Sequence, residues 1–335
     1  MSLKLRIMMA ISISIGVALS LWSTLESQHV DDHSSASSLS RLIIQHGGVG
    51  FDLRNAIIPR NEIRAGGPPK DGIPALTSPT FVGANEADFL SPSDRVVGVR
   101  SGANVRAYPI RILNFHEIVN DQLDEIPFAV TYCPLCDSAA VFDRRTPLGV
   151  REFGVSGLLY NSNVLIYDRG GQPESLWSQV LGEGVSGPAA GKKLKTLPME
   201  LVTWGEWKKM HPETKVLSSK TGHIRDYRHN PYAQYFNSPN LMFPVQPLDR
   251  TLPAKTPILV VWTDEGKANA HRIAEPDPGM SAARKYTLGG KSYSIAFNKT
   301  SQTARVTDAD SGVFWMHSFW FAWKAFHPET ELIRD

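Results

Sequence analysis

Cysteine is nearly absent: 335 residues hold two, Cys133 and Cys136. A disulfide framework is therefore excluded, and the one intramolecular bridge available would close a C-x-x-C loop of four residues. A charge of one sign is lacking as well. The 35 Lys and Arg and the 33 Asp and Glu leave a net charge of +2, mixed along the chain, with no basic footprint for nucleic acid. Long apolar runs are scarce, and beyond residues 7–22 none is long enough to span a bilayer. P-loop, HExxH, GxSxG and GxGxxG signatures are missing, so phosphate cradling, zincin proteolysis and α/β-hydrolase chemistry lack their signals. What remains is 42% hydrophobic and 20% charged, ordinary globular usage with enough apolar surface for one large domain or two moderate ones.

The N-terminus differs from the rest. Lys4 and Arg6 precede the apolar run 7–22, and no acidic residue appears before Glu26, a pattern that signals export. At ~1.5 Å per residue the run spans roughly 24 Å, short of the ~30 Å hydrocarbon core but within reach if its flanks adjust. Ala18-Leu19-Ser20 offers a small-x-small cleavage site, whereas Leu21-Trp22 suits an interfacial anchor. Residues 1–25 are thus expected to be a signal peptide or an N-terminal membrane anchor. Residues 26–40, polar and Ser-rich, form a flexible tether, with the ordered domain beginning near residue 41. The remainder is expected in a periplasmic or extracellular space, and residues 7–22 supply its membrane tether if they are retained.

Residues 41–93 form a Pro/Gly-rich N-terminal segment. Between 57 and 81, Gly66, Gly67, Pro68, Pro69, Gly72, Pro74 and Pro79 exclude a long helix and favour surface turns. Short strands follow: 95–100 and 105–109 flank Ser101-Gly102-Ala103-Asn104 as a hairpin, and 128–132 and 139–142 flank the two cysteines. Residues 112–120 carry helical spacing through Leu113, His116 or Glu117, and Asn120. An internal repeat organises the rest. Trp204, Trp207 and His211-Pro212-Glu213-Thr214 recur at a constant offset as Trp320, Trp323 and His327-Pro328-Glu329-Thr330. Fainter matches pair Ala139, Val141 and Asp143 with Ala304, Val306 and Asp308, which sets Cys133 and Cys136 opposite Asn298 and Ser301. The expected fold is α+β and β-rich, with two tandem related units bearing short Trp helices. The first, residues 94–254, holds the CxxC; the second, 255–335, is a Cys-free degenerate repeat.

The chemistry centres on Cys133-Pro134-Leu135-Cys136. A structural disulfide closing so small a loop yields only roughly 2 kcal/mol in the chain-entropy estimate. Pro134 presets a turn in which one thiol can be activated while the other resolves a mixed disulfide. Strands flank the motif, so the helix N-terminus that stabilises thiolate in thioredoxin-like proteins is not expected. Metal binding competes: Cu(I) accepts two thiolates alone, and a closed zinc site needs two further ligands, with His116 the first candidate. His116-Glu117 with Asn120-Asp121 forms the second polar cluster, and His116 is the expected base or orienter for Cys133. His211 and His327 follow Trp stripes and are expected in core-docking helices. Trp177, with Glu174, Ser175, Ser178 and Gln179, is expected to wall a pocket, Asp168-Arg169 to form an ion pair, and Asn298-Lys299-Thr300 fits a glycosylation acceptor.

Gly66-Gly67-Pro68-Pro69-Lys70-Asp71-Gly72-Ile73-Pro74, Ala107-Tyr108-Pro109, HEIVND at 116–121, Thr131-Tyr132-Cys133-Pro134-Leu135-Cys136, FGVSGLLYNSN at 153–163 and Ser175-Leu176-Trp177-Ser178-Gln179 together resemble domain-of-unknown-function family 3179 (DUF3179) over about residues 57–335. The resemblance implies an exported or lipid-anchored bacterial protein, although no lipobox cysteine is present. Gly170-Gly171-Gln172-Pro173 departs from the family's more compact run. The resemblance marks Cys133, Cys136, His116, Asp71, Glu117, Tyr160, Asn161 and Trp177 as site residues without supplying a reaction. The expected function is dithiol exchange in which Cys133 attacks, Cys136 resolves and the Pro-rich loop with Asp71 walls the site. The alternatives are copper or zinc binding through Cys133, Cys136 and His116, and a binding module whose CxxC is a turn clamp. The expected partner is a thiol or disulfide protein or a small ligand, and not nucleic acid.

Overall fold

The computed structural model describes residues 50–273 and 283–334. The apolar run 7–22, the tether 26–40 and the expected domain start near residue 41 lie outside the described residues. Among those described, no helix is long and apolar enough to cross a membrane. Strands dominate, and the helices are short: α1 (Ile110–His116), α2 (Trp204–Met210), α3 (Ala233–Asn237) and α4 (Trp320–Phe326).

Three sheets carry the structure. The nine-stranded large sheet runs Leu76–Thr77, Ile118–Leu123, Ile126–Cys133, Ser138–Asp143, Val313–Phe319, Pro257–Thr263, Ala268–Arg272 and Glu331–Ile333, with Thr196–Leu197 paired off Ser138–Asp143. A second, five-stranded sheet is built on the hairpin Glu152–Tyr160 and Asn163–Arg169. A third, also five-stranded, is built on the hairpin Arg95–Ser101 and Asn104–Pro109. A three-stranded meander, Arg284–Leu288, Lys291–Asn298 and Thr303–Ala309, and the two-stranded ribbon Arg145–Thr146 with Gly149–Val150 complete the fold.

The two hairpins flanking 101–104 and 133–138 form as their patterns demand. The helix expected over 112–120 does not. α1 ends at His116, Glu117 takes the left-handed φ of 57°, and the chain continues at once as the strand Ile118–Leu123. Its apolar residues 118, 119 and 123 satisfy a strand buried on both faces as well as they satisfy a helical period.

The repeated Trp-His-Pro-Glu-Thr frames share one local design. In α2, Trp207 donates its indole N–H to Thr214 Oγ1 at 3.0 Å while the His211 ring packs 4.3 Å from its own. In α4, Trp323 donates to Thr330 Oγ1 at 2.7 Å and stacks on His327 at 3.9 Å. A fully buried indole needs an acceptor, and the Thr seven residues on provides it once the Pro has turned the chain. Strand order around the two frames also coincides. Glu200–Thr203 lies antiparallel to the first strand of one hairpin and Lys215–Leu217 parallel to its second. Val313–Phe319 and Glu331–Ile333 do the same for the hairpin Pro257–Thr263 and Ala268–Arg272.

The Pro-rich loop lies across the second sheet, where Glu152–Tyr160 bulges between Val155 and Leu158. Gly66 N–H donates to Gly157 O at 2.7 Å and Asp71 N–H to Val155 O at 2.9 Å. A Cβ on Gly157 would meet Pro68 O at 2.3 Å, so the sequence needs glycine at the bulge for the loop to dock.

Gly98 serves the same purpose for α2, since a Cβ there would come within 2.2 Å of the Trp207 ring. We expect Gly98→Ala to destabilise the fold by about 1–3 kcal/mol, the cost of overpacking a closed core, measured as a lowered midpoint of denaturant unfolding.

Candidate functional site

The two cysteines occupy the turn between Ile126–Cys133 and Ser138–Asp143, with Cys133 paired to Ser138 across the ladder. Pro134 fixes the first corner, Cys136 N–H donates to Cys133 O at 3.2 Å, and Asp137 closes the loop in the left-handed region at φ 44°, a conformation that Asp tolerates better than most residues. Both thiols are free and buried, at 1% and 0% exposure.

The surrounding structure grips this turn from several sides. Arg95, at the start of the third sheet, donates to both carboxylate oxygens of Asp137 at 2.7 and 2.8 Å, and Tyr132 OH donates to the same carboxylate at 2.7 Å. Phe319 N–H, at the entry to α4, donates to Cys136 O at 2.7 Å. The second sheet supplies the turn 160–163, in which Asn161 and Ser162 are both left-handed. This tight turn aims Ser162 O at the thiols, 3.2 Å from Cys136 Sγ and 3.9 Å from Cys133 Sγ. Beneath lies a buried polar network. Ser138 Oγ donates to Gln179 Oε1 at 2.6 Å, Asn163 Nδ2 to Gln179 Oε1 at 2.9 Å, and Gln179 Nε2 to Thr131 Oγ1 at 3.1 Å.

The environment divides the thiols electrostatically. Burial alone would raise Cys133, but the Cys136 S–H and the amides of Val164, Cys136 and Leu135 outweigh it and hold the thiol below its ordinary value. Cys136 is pushed well up by burial, by the proton it shares with Cys133 and by the charge of Asp137. Cys133 is therefore the first thiol to ionise. Glu117, 7% exposed, is raised well above the carboxylate range by burial and by the Cys133 charge.

His116 is engaged elsewhere. Its Nδ1 lies 2.8 Å from Pro74 O, which can only accept, so Nδ1 carries the proton and Nε2 accepts from Tyr227 OH at 2.6 Å. Burial lowers its pKa to about 4, and the charges it feels beyond the Pro74 bond are those of His223 and Arg225. From this cluster it is Glu117 that feels the Cys133 charge. Among the described residues, no three His, Cys, Asp or Glu are grouped to hold a metal ion, and the set Cys133, Cys136 and His116 does not converge.

Asp71 accepts from Tyr167 OH and, at 2.7 Å, from Arg169. These partners sit four and six residues along the strand Asn163–Arg169 from its thiol end, at least roughly 13 Å away at ~3.3 Å per residue, so Asp71 clamps the Pro-rich loop. Asp168 and Arg169 do not pair. Asp168 accepts from Ser175 N–H at 2.6 Å across the turn formed by Gly170-Gly171-Gln172-Pro173, while Arg169 takes Asp71. Tyr160 packs edge-on to Phe326 at 5.4 Å, Asn161 Oδ1 accepts from Gln246 N–H at 2.9 Å, and Trp177 is wholly buried against Phe153. Asn298 donates its carboxamide to Glu206 at 2.5 Å, so the expected glycosylation acceptor is tied to α2 in the folded chain.

Residues 218–256, irregular except for α3, cover the thiols. Tyr235 OH donates to Leu135 O at 2.8 Å inside the CxxC, and Asp249 accepts from Trp320 Nε1 at 2.9 Å. Sequence reasoning did not single out Arg95, Asp137, Ser162, Asn163, Tyr232, Tyr235 or His317. His317 is buried at the strand position paired with Ala139, and its electrostatic neighbours are Asp137 and Arg95. The repeat offset carried one usable sign, because it aligns His317 with the apolar Leu201.

The fold and site define a β-rich α+β protein with one buried CxxC turn. The chain belongs to a family of proteins of unknown function, DUF3179, whose profile matches residues 70–314, more than half its length. No curated protein and no solved structure matches it.

Two expectations follow. Tyr235→Phe removes a hydrogen bond worth about 1 kcal/mol and should speed alkylation of the native thiols about fivefold. Because the folded pKa of His116 lies at about 4 against an ordinary 6.5, the unfolded chain binds the proton first. The stability linked to this histidine is full above 6.5 and is lost as pH falls toward 4. Urea unfolding across this window should show a shallower acid slope in His116→Gln.

Proposed function

We propose that the protein is an extracytoplasmic thiol-disulfide exchange protein whose working pair is Cys133 and Cys136. The observation that carries this reading is the pair itself: two free thiols in one turn, in unequal surroundings. The Cys133 thiolate attacks one sulfur of a substrate disulfide, forming a mixed disulfide and expelling one substrate thiolate. Cys136 then loses its proton and attacks the Cys133 sulfur, expelling the second. Two electrons pass to the substrate, the protein is left with a Cys133–Cys136 bridge, and an external dithiol restores it. Access requires residues 218–256 to move aside, as covering loops do when substrate enters. His116 takes no part in this scheme.

Export is supported by Lys4 and Arg6 ahead of the apolar run 7–22. We read the two Trp-bearing units as a duplication, on the coincident strand orders and the repeated indole clamps. In this reading the second unit serves as platform: its helix α4 receives the CxxC turn through Phe319 N–H.

Single-serine variants test the assignment. With a disulfide substrate, Cys136→Ser should accumulate a mixed disulfide on Cys133, detected by mass, while Cys133→Ser should accumulate none. Absence of any trapped species from both variants, or stoichiometric copper or zinc on the reductively purified protein that the double variant loses, would overturn the reading. A double variant that only melts earlier would assign the motif a clamp's role.

A further inference from the structure

The two Trp-bearing frames differ in what fills the face beside their helices. Counted from Thr203 and Phe319 at the entries to α2 and α4, the strand pairings set Gly98 and Glu200 where the second frame has Val260 and Met316, and Arg100 where it has Trp262. The third strands keep the same register, with Val216 beside Ala107 and Leu332 beside Ala270. Strand alternation turns Arg100 and Glu200 to the face that carries α2, as it turns Trp262 and Met316 to the face that carries α4. The second frame closes this face with hydrocarbon: Trp262 packs 5.3 Å from Trp323, and Met316 is buried. In the first frame the Trp207 ring rests on Gly98, and the two charged residues line an open cleft of about 950 Å³. The fold thus accepts an apolar plug at these positions, and the first frame does without one.

The cleft lies between α2, the segment 195–200 and the meander strand Thr303–Ala309. Three cations line it, Arg100, Lys195 and Arg305, together with His211, whose ring is held 4.3 Å from that of Trp207. Burial and the charges of Arg100 and Arg305 keep the imidazole below its ordinary pKa. Arg100 forms no hydrogen bond or ion pair among the described residues, and Arg305 approaches Glu200 at 4.0 Å, too far to bond. Glu200 Oε2 is itself buried and without a hydrogen bond. Both guanidiniums therefore keep their planar sets of N–H donors free for a carboxylate or a phosphate. Of the acids at the rim, Asp310 is engaged by Ser292 N–H at 2.6 Å, and Asp308 stands exposed on its strand. An apolar wall completes the cleft: Trp315, half-buried, has its N–H tied to Met199 O at 2.7 Å. The volume falls within the roughly 300–1,000 Å³ of small-molecule pockets. We propose that this cleft binds a small organic dianion, its acidic ends on Arg100 and Arg305 and its apolar body against Trp315. The site is separate from the dithiol and does not rest on the exchange reading.

Titration calorimetry of the full chain with isophthalate, a ring bearing two carboxylates, tests the site. One saturable site per chain is expected. Isophthalamide, the uncharged counterpart, and sulfate, a dianion without a body, should each bind at least about tenfold more weakly. Arg100→Ala and Arg305→Ala should each weaken isophthalate about tenfold, the loss of one charge-assisted contact. The double variant Arg100→Trp, Glu200→Met, which installs the second frame's plug, should abolish binding while the chain still unfolds cooperatively in urea. If that variant does not fold, Arg100→Ala decides alone, since Arg100 is exposed and its loss leaves the core intact. No saturable isophthalate binding to the wild type, or binding that survives both arginine changes, overturns the proposal. Isophthalamide or sulfate binding as tightly as isophthalate overturns it too, because the charge or the body then counts for nothing.

Discussion

The bidentate ion pair between Arg95 and Asp137 is the contact on which the site depends. It ties the end of the CxxC turn, in the large sheet, to the first strand of the third sheet, and it draws the Tyr132 hydroxyl into the same carboxylate. Asp137 is itself buried, so losing the half-buried Arg95 would leave its charge with the Tyr132 hydroxyl as its remaining side-chain partner. The arrangement sets the turn's conformation, the side of the sheet on which both sulfurs lie and the local field at Cys136.

Around this anchor the site is assembled from segments distant in sequence. The second sheet contributes Ser162 O, α4 contributes Phe319 N–H, and the covering segment contributes Tyr235. The network of Thr131, Ser138, Asn163 and Gln179 joins the large sheet to the second with its side-chain amides satisfied. A half-satisfied version would be worse than an apolar core, so these four residues specify one packing of two sheets.

Much of the framework was legible in the sequence because it depends on local physics. Gly102 and Asn104 marked one hairpin, Pro134 and the flanking apolar runs marked the other, and the Trp-x-x-Trp stripes marked α2 and α4 together with their docking role. The failures share one cause, long-range geometry. Asp168 and Arg169 look like a pair when written side by side, yet neighbours on a strand point to opposite faces and each found a partner across the sheet. His116 was the natural base by residue type, but the helix ends on it and its imidazole is held between Pro74 and Tyr227. Arg95 and Asp137 stand 42 positions apart and carried no spacing to read.

The covering segment has a consequence for the order in which this protein matures. Residues 218–256 fasten to Leu135 and Asn161 early in the chain, but also to Trp320 near its end through Asp249. As the chain is synthesised from its N-terminus, Cys133 and Cys136 emerge long before the residue that completes their cover. The thiols therefore pass through an interval of open exposure before their cover forms. After the C-terminal helix docks, the same thiols are reached only when residues 218–256 move.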